Sequence, residues 1–288
     1  MCLAETTDAV RHRHEHEHEQ DQQLARRRFL MGGGALAAGA ALTVTAPALP
    51  AAGRSSRHPR HGRRVVDLTH RLRRDFPTFT GDQPADEIVA DFATDGFYAK
   101  RWRINEHTGT HIDTPGHFSE GMRLVDQLEA AELLAPVVVI DITSKAQENP
   151  NATVDPDDLL RFERRHGRIP DRALVCMSSG WAAKATDPAE FLGGPAFPQF
   201  NFPGFSIDAT DWLLRRRNPV GIGVDTVSLD PGNSTTFDVH VGFLGADRYG
   251  VEALDNLDRI PPRGAHAFVG PIPWENGSGS PCHVIATW

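Results

Sequence analysis

Four continuous apolar runs after residue 130 predict buried strands. The runs cover residues 137–142, 173–177, 220–224 and 265–269. A run without alternating polar residues is typical of a strand that is covered on both faces. One further strand is predicted at residues 97–104, where aromatic and charged residues alternate.

Helical patterns lie between these runs, at residues 124–134, 156–165 and 207–217. Asp155 followed by Pro156 is typical of a helix start, because aspartate caps the first turn and proline is tolerated at the first helical position. Strands that alternate with helices along the chain predict an α/β domain.

The N-terminal segment has the composition of an export signal. Three arginines and Phe-Leu at residues 26–30 precede a short, glycine-rich apolar run at residues 31–44. This run falls short of the roughly 20 strongly apolar residues that span a membrane, so we expect export and no stable membrane span. Paired arginines before Phe-Leu indicate the twin-arginine route and a periplasmic or extracellular protein. The alternative is a chance basic stretch on a cytoplasmic enzyme.

The chain is therefore expected to have three parts. They are a leader with a twin-arginine signal peptide at residues 1–52, a flexible linker at 53–64 and one domain at 65–288. The net charge of −8 argues against a nucleic-acid partner. Cys176 and Cys282 lie in apolar runs and are expected to be buried free thiols, with a single disulfide as the alternative in an oxidising compartment.

The densest group of chemically active side chains lies at residues 107–117, which read His-Thr-Gly-Thr-His-Ile-Asp-Thr-Pro-Gly-His. Imidazole nitrogens and a carboxylate are the ligands that a hydrolytic divalent metal ion uses. Glycine and proline argue against a helix, so we expect the group where a strand opens into a glycine-rich turn. The alternative is a polar loop with hydrogen-bonded histidines and no metal.

This pattern resembles the signature His-x-Gly-Thr-His-x-Asp-x-Pro-x-His of the cyclase family of metal-dependent hydrolases. The family includes bacterial kynurenine formamidases, isatin hydrolases and some proteins described as polyketide cyclases. Other segments resemble further family elements in the same order: Val65 to His70, Gly221 to Asp230 and Gly279 to Pro281. The resemblance implies a swivelling β/β/α domain, within the α/β class, and a homo-oligomer that is a dimer or a tetramer.

The resemblance also implies the metal ligands. His107, His111 and Asp113 match the first ligands of the family, and in its two-metal members the aspartate bridges both ions. His240 and Glu252 stand where the ligands of the second ion are expected. Zinc fits this ligand set, manganese is used by relatives, and the sequence leaves open whether one or two ions bind.

His117 matches the general acid and base of the family. The implied reaction is hydrolysis of an amide-type C–N bond by metal-activated water. The substrate would be a small molecule with an aromatic or cyclic carbonyl group, such as an arylformamide or the cyclic amide isatin. Two alternatives stay open: a polyketide or lactone cyclase that uses the metal as a Lewis acid, and an exported protein that binds a metal or ligand without turnover.

Aromatic residues offer candidates for a substrate pocket, although aromatic residues at such places are more often part of a core. They are Phe76, Phe79, Phe97, Trp102, Trp181, Phe200, Phe202, Phe205 and Trp274. The expected export favours an environmental or secondary-metabolite substrate over formylkynurenine, which is made inside cells.

Overall fold

The structure is a computed structural model that describes residues 64–288. These residues fall into two compact units, one formed by residues 86–102 and the other by residues 64–85 and 103–288. The predicted signal peptide lies outside the described residues, as does the predicted linker apart from Arg64. Within residues 64–288, none of the helices combines the length and the apolar character needed to cross a membrane.

The strands and helices of the described residues are numbered in chain order. The strands are β1 (Val65–Asp67), β2 (Ala85–Ala90), β3 (Ala99–Arg103), β4 (His111–Asp113), β5 (Leu134–Asp141), β6 (Thr153–Val154), β7 (Leu174–Ser178), β8 (Gly204–Phe205), β9 (Gly221–Val224), β10 (Tyr249–Glu252), β11 (Arg263–Pro271) and β12 (Gly279–Thr287). The α-helices are α1 (Phe92–Asp95), α2 (Thr143–Glu148), α3 (Pro156–His166), α4 (Pro188–Leu192) and α5 (Ile207–Arg216).

The small unit contains a two-stranded sheet of β2 and β3 with α1 between them. Asp91 begins this helix, since its carboxylate accepts hydrogen bonds from the N–H groups of Ala93 and Thr94. Gly96 ends it with a φ of 74°, which a glycine adopts at little cost. The strand predicted at residues 97–104 is confirmed as β3.

The large unit is organised around an eight-stranded sheet in the order β1-β12-β11-β5-β7-β9-β10-β4. The sheet closes on itself because β12 also pairs with β4. Strands β5, β7, β9 and β10 are parallel, whereas β4, β11 and β12 join by antiparallel pairs. The predicted α/β class is confirmed, and the four predicted apolar runs form β5, β7, β9 and β11.

Both faces of the central strands are buried, which explains their continuous apolar sequence. In β7, Leu174 and Cys176 pack in a core that includes Ile112 of β4. The alternate residues of the strand, Val175 and Met177, pack in a second core that includes residues of α3 and α5. Cys176 and Cys282 are free and buried, as predicted, and burial raises the pKa of both thiols.

The prediction of a helix at residues 124–134 is wrong. The structure has a single 3₁₀ turn at Val125–Gln127, and β5 begins at Leu134. Backbone groups of this segment bond to distant residues: the N–H of Val125 donates to the Gly277 carbonyl at 2.9 Å, and the Leu133 carbonyl accepts from Val269 at 2.9 Å. Leu128 is extended, with a φ of −71° and a ψ of 134°, so the turn ends after three residues. Val125 packs in the core that includes Ile112, and such tertiary contacts override the helical pattern.

An ion pair ties α3 to the end of α5. The Glu163 carboxylate accepts hydrogen bonds from the Arg217 guanidinium and, at 2.8 Å, from the N–H of Ile169. The Arg217 guanidinium lowers the pKa of Glu163 below its ordinary value of 4.5. A carboxyl group whose pKa is lower in the folded state stabilises the fold at pH values above 4.5. This contribution is lost as the pH falls through the lower pKa of the folded state.

We expect Glu163→Gln to reduce the free energy of unfolding by about 2 kcal/mol at pH 7, because two charge-assisted hydrogen bonds weaken. The difference from wild type should shrink as the pH falls below about 4.5, as measured by urea unfolding at several pH values. Asp211→Asn is the matched control, because Asp211 forms an exposed pair with Arg215 that contributes little. A difference for Glu163→Gln that is the same at pH 7 and pH 3.5 would contradict this assignment.

Candidate metal centre

Strand pairing brings three of the predicted ligands together. In the antiparallel pair of β4 and β10, His111 lies opposite Glu252 and Asp113 lies opposite Gly250. Residues two apart in a strand share a face, so His111 and Asp113 point the same way. The Nε2 atom of His111 lies 3.3 Å from Oδ1 of Asp113 and 3.3 Å from Oε2 of Glu252.

The segments that flank β4 supply the two other histidines of the sequence motif. His107 precedes the strand and places its Nδ1 atom 2.6 Å from Oδ1 of Asp113. His117 lies at the end of a 3₁₀ turn, Pro115–His117, and its ring stacks on that of His107 with the centroids 3.9 Å apart. The prediction of a strand that opens into a glycine-rich turn is therefore wrong in one respect, because residues 111–113 are themselves a strand.

The C-terminal strand β12 leaves space for His107. Gly279 lies opposite Asp113 in the pair of β12 and β4. A Cβ atom at this position would overlap the His107 ring and would lie 2.7 Å from the carbonyl oxygen of Ile112. The close approach explains why a glycine opens the Gly-Ser-Pro element.

His240 completes the group from a distant part of the chain. It begins a π-helical turn, His240–Leu244, and its Nε2 atom lies 3.1 Å from Oε1 of Glu252 and 3.6 Å from Oδ2 of Asp113. A π-helical turn is rare and is often found at functional sites. The structure thus brings all six sequence-predicted residues into one cluster, with Asp113 at its centre.

The hydrogen bonds on the outer side of two histidines fix which nitrogen faces the cluster. Nδ1 of His111 donates to the Gly109 carbonyl at 2.8 Å, and Nδ1 of His240 donates to Oδ2 of Asp230 at 2.6 Å. In the singly protonated ring that a metal ligand requires, the proton lies on Nδ1, so the Nε2 atoms of His111 and His240 would present their lone pairs to a metal ion held by the carboxylates. Outer hydrogen bonds of this kind orient histidine ligands in metal sites.

His107 is oriented in the same way through a serine. Its Nε2 atom lies 2.9 Å from Oγ of Ser278, and that hydroxyl donates to Oε1 of Glu106 at 2.6 Å. Since the serine proton is used on Glu106, the His107 Nε2–H group is the donor in the bond to Ser278. With Nε2 as the donor, Nδ1 of a singly protonated His107 ring would carry the lone pair that a metal ion needs.

The electrostatics of the cluster favour positive charge inside it. Burial raises the pKa of the Asp113 carboxyl, but the His111 and His107 rings outweigh burial and hold it well below its usual range. Burial lowers the pKa of His111, yet the carboxylates of Asp113 and Glu252 outweigh it and raise that pKa to about 10. A divalent metal ion would supply this positive charge in place of the imidazole protons, and two buried carboxylates with converging imidazole nitrogens are a donor set that fits it.

The ligand atoms form two overlapping groups. One group contains His111, Asp113 and Glu252, and the other contains His107, Asp113 and His117, with the ligand atoms of each group within 4.8 Å of one another. Asp113 belongs to both groups, as a bridging ligand would. His117 is close enough to reach either a water molecule held at the first ligands or the ion itself. Burial lowers the pKa of His117 to about 4, so its ring is neutral at pH 7.

Sequence reasoning missed three residues that position the ligands. Glu106 and Ser278 orient His107, and they lie far apart in the sequence, so no local pattern joins them. Asp230 ends a run that resembled a family element, and its carboxylate also accepts from the N–H groups of Val239 at 2.9 Å and His240 at 3.1 Å. The resemblance of that run to a family element was the sequence signal that could have identified Asp230.

We expect Asp230→Asn to weaken metal binding by about 10- to 100-fold, because the carboxylate no longer orients the His240 ring or increases its basicity. Competition with a chelating dye measures the affinity. Asp238→Asn is the control, since Asp238 is exposed and accepts only a local bond from Thr236. Wild-type affinity in Asp230→Asn would show that Asp230 does not support a ligand.

A cavity of about 310 Å³ opens above the cluster. Besides the six predicted residues it is lined by Phe79, Thr80, Asn105, Phe118, Val227, Ser228 and Phe237. Of the nine aromatic candidates, Phe79 lines this cavity, whereas Phe76, Trp181, Phe200, Phe202 and Phe205 are buried in the cores. Phe118 and Phe237 were not predicted. A larger groove of about 560 Å³ near Pro136 and Pro262 contains none of the six predicted residues.

Comparisons with known proteins agree with this site. The sequence model of the Cyclase family matches residues 66–231. The chain is 32% identical over 222 residues to an isatin hydrolase of Roseibium aggregatum, in an alignment that covers 73% of this chain and 84% of that protein. It is 26% identical over 234 residues to a kynurenine formamidase of Geobacillus thermodenitrificans, and this alignment covers 75% of this chain and 93% of that protein.

The fold leads to the same relatives. The structure of isatin hydrolase A from Ralstonia solanacearum aligns with a TM-score of 0.74 at 36% sequence identity, and the alignment covers 79% of this chain and 93% of that chain. The family match includes the His-x-Gly-Thr-His-x-Asp motif whose side chains form the cluster. The chain therefore belongs to the cyclase family, together with isatin hydrolases and kynurenine formamidases.

Proposed function

We propose that the protein is a metal-dependent hydrolase that cleaves an amide-type C–N bond in an arylformamide or in a cyclic amide such as isatin. The observation that carries the proposal is the convergence of three histidine rings on two buried carboxylates at the base of an aromatic-lined cavity. The named activities of the relatives support the same bond type.

Two ligand sets would hold the metal. His107, His111 and Asp113 would bind a first ion, and Asp113, His240 and Glu252 would bind a second. When bound, a divalent ion supplies an acidified water molecule and polarises the carbonyl oxygen of the substrate. Imidazole and carboxylate ligands fit zinc, and manganese accepts the same set. We propose zinc as the resident ion; elemental analysis of the purified protein separates the two.

His117 is the proposed proton carrier. Its ring is uncharged at neutral pH and stacks beside His107, next to the place where water and substrate meet. As the water oxygen bonds to the carbonyl carbon, His117 would accept its proton and deliver it to the leaving nitrogen when the C–N bond breaks. A cyclic amide would open to an amino acid, and an arylformamide would give formate and an arylamine.

The test is a substrate panel of formamides, isatins and lactones, with and without a chelator. We expect ring opening of isatin or release of an arylamine, abolished by the chelator and restored by added zinc or manganese. Stoichiometric binding without product from any substrate would contradict the proposal and favour a binding protein. Turnover confined to lactones would favour the alternative of a lactone cyclase.

Export and assembly are further proposals. The basic residues at 26–28 and the short apolar run at 31–44 support the twin-arginine route to the periplasm or the outside of the cell. A fusion of residues 1–64 to a reporter is expected to be exported, and the export should stop when Arg26, Arg27 and Arg28 are replaced by lysine. Membership of the cyclase family supports a dimer or a tetramer, which light scattering measures.

A further inference from the structure

Phe79, Phe118 and Phe237 line one side of the cavity, and Phe197 packs against Phe79 and Phe237. These four residues are here called the phenylalanine wall. Phe237 is its centre, because its ring lies 5.9 Å from Phe79, 5.6 Å from Phe118 and 5.6 Å from Phe197, measured between centroids. Phe118 remains 36% exposed and Phe197 41% exposed. The wall therefore offers aromatic faces toward the cavity rather than closing it as a core would.

The backbone of Phe237 adopts a conformation that a bulky side chain normally avoids. Its φ is 53°, and Phe237 is the one aromatic residue with positive φ among residues 64–288. A left-handed conformation is costly for a large residue and persists only where the surrounding structure imposes it. Glycine would adopt this conformation at little cost, so a phenylalanine here points to a role for its side chain.

Hydrogen bonds hold Phe237 in this conformation next to a predicted ligand. The Phe237 N–H donates to Oγ of Ser234 at 3.2 Å, and its carbonyl accepts from Val241 at 2.9 Å to begin the π-helical turn. Asp230 holds the turn through His240, whose ring lies 5.8 Å from that of Phe237. The segment therefore fixes an aromatic face and a metal ligand at a set distance from each other.

From this geometry we propose that Phe237 is the specificity-determining residue of the site, selecting substrates in which a flat aromatic ring is attached to the reacting carbonyl or nitrogen. The proposal rests on the proposed hydrolase function, because the ring is recognised as part of the substrate. An aromatic ring packed against Phe237 at about 4.5–7 Å between centroids would be attracted beyond the burial of area, whereas a saturated ring of the same size would gain only the burial.

A matched pair of ligands tests this without turnover. Phenylglyoxylate is an aryl α-keto acid, like the acid released when the ring of isatin opens, and cyclohexylglyoxylate has the same charge and nearly the same size without an aromatic face. Calorimetry on the zinc-loaded full-length protein is expected to show about 5-fold tighter binding of phenylglyoxylate. In Phe237→Leu the preference should fall to within about 2-fold, and in Phe237→Tyr it should be retained.

Phe268→Leu is the control, because Phe268 lies exposed on β11 and outside the cavity. Thermal unfolding of each variant checks that it is folded. Equal affinity of the wild-type protein for the two acids would overturn the proposal without any variant, and so would a full aryl preference in folded Phe237→Leu. For isatin, we expect Phe237→Leu to raise KM about 5-fold with little change in kcat.

The two proposals fail in different ways. A protein that shows a Phe237-dependent aryl preference but hydrolyses no amide leaves the specificity assignment standing and contradicts the hydrolase. A protein that hydrolyses isatin with zinc but binds both acids equally contradicts the role of Phe237 and supports the hydrolase.

Discussion

Asp113→Ala is expected to lose bound metal and, with it, nearly all hydrolysis of an amide substrate. Among residues 64–288, Asp113 is the one residue whose carboxylate approaches His107, His111 and His240, through one oxygen or the other. Its removal leaves Glu252 as the remaining carboxylate of the ligand set, and Glu252 approaches His111 and His240. Because the carboxylate contributes to both ligand groups, we expect a larger loss than for any other ligand.

Elemental analysis of the purified variant, together with the rate of isatin ring opening, measures both effects. Asp113→Asn keeps the shape of the side chain and removes its charge, so it is expected to lose metal as well. Asp126→Ala is the matched control and should keep wild-type metal content, because Asp126 is exposed in the 3₁₀ turn Val125–Gln127. Full metal occupancy in Asp113→Ala would show that the carboxylate is not a ligand.

His117→Ala is expected to keep its metal and to lose turnover by about 10²- to 10⁴-fold, the contribution of a positioned acid or base. The loss should fall on kcat, because the ligands and the phenylalanine wall remain in place. His283→Ala is the control, since His283 is an exposed histidine paired with Asp67 on another part of the sheet.

The metal content of His117→Ala separates two roles. The nitrogen of His117 is close enough to His107 and Asp113 to bind an ion with them. A variant that loses both metal and turnover would assign His117 as a ligand, whereas retained metal with lost turnover supports the proton carrier. Wild-type turnover in His117→Ala would contradict both roles.

The sequence predicts most of the fold where burial alone determines the pattern. The apolar runs of β5, β7 and β9 were identifiable because both of their faces are covered. The helix predicted at residues 124–134 does not form, because the chain becomes extended at Leu128 and Val125 packs in a core with residues of distant strands, which local periodicity does not reveal. The closure of the sheet through β4 and β12 also depends on residues that are distant in the chain.

The candidate site also combines residues that the local sequence pattern predicts with residues that it does not. His107, His111, Asp113 and His117 share eleven residues of sequence, so their spacing alone suggested a metal site. His240 and Glu252 required the family resemblance, because each would otherwise be read as an ordinary polar residue.

The residues that support the site escaped prediction. Ser278 reaches His107 from across the closed sheet, and that contact depends on the pairing of β4 with β12. Phe118 and Phe237 stand in segments without a regular pattern, and the positive φ of Phe237 leaves no signal in an aromatic residue. Such features arise from tertiary structure and can be found only once the fold is known.

The most direct test of the metal centre is the rate of isatin ring opening as zinc is added to chelator-treated, full-length protein. The expected result is a rate near background without metal, which rises in proportion to added zinc and reaches a plateau at one or two ions per chain. A full rate in protein shown to be free of metal, or a rate that stays at background when the ligands are saturated, would contradict it.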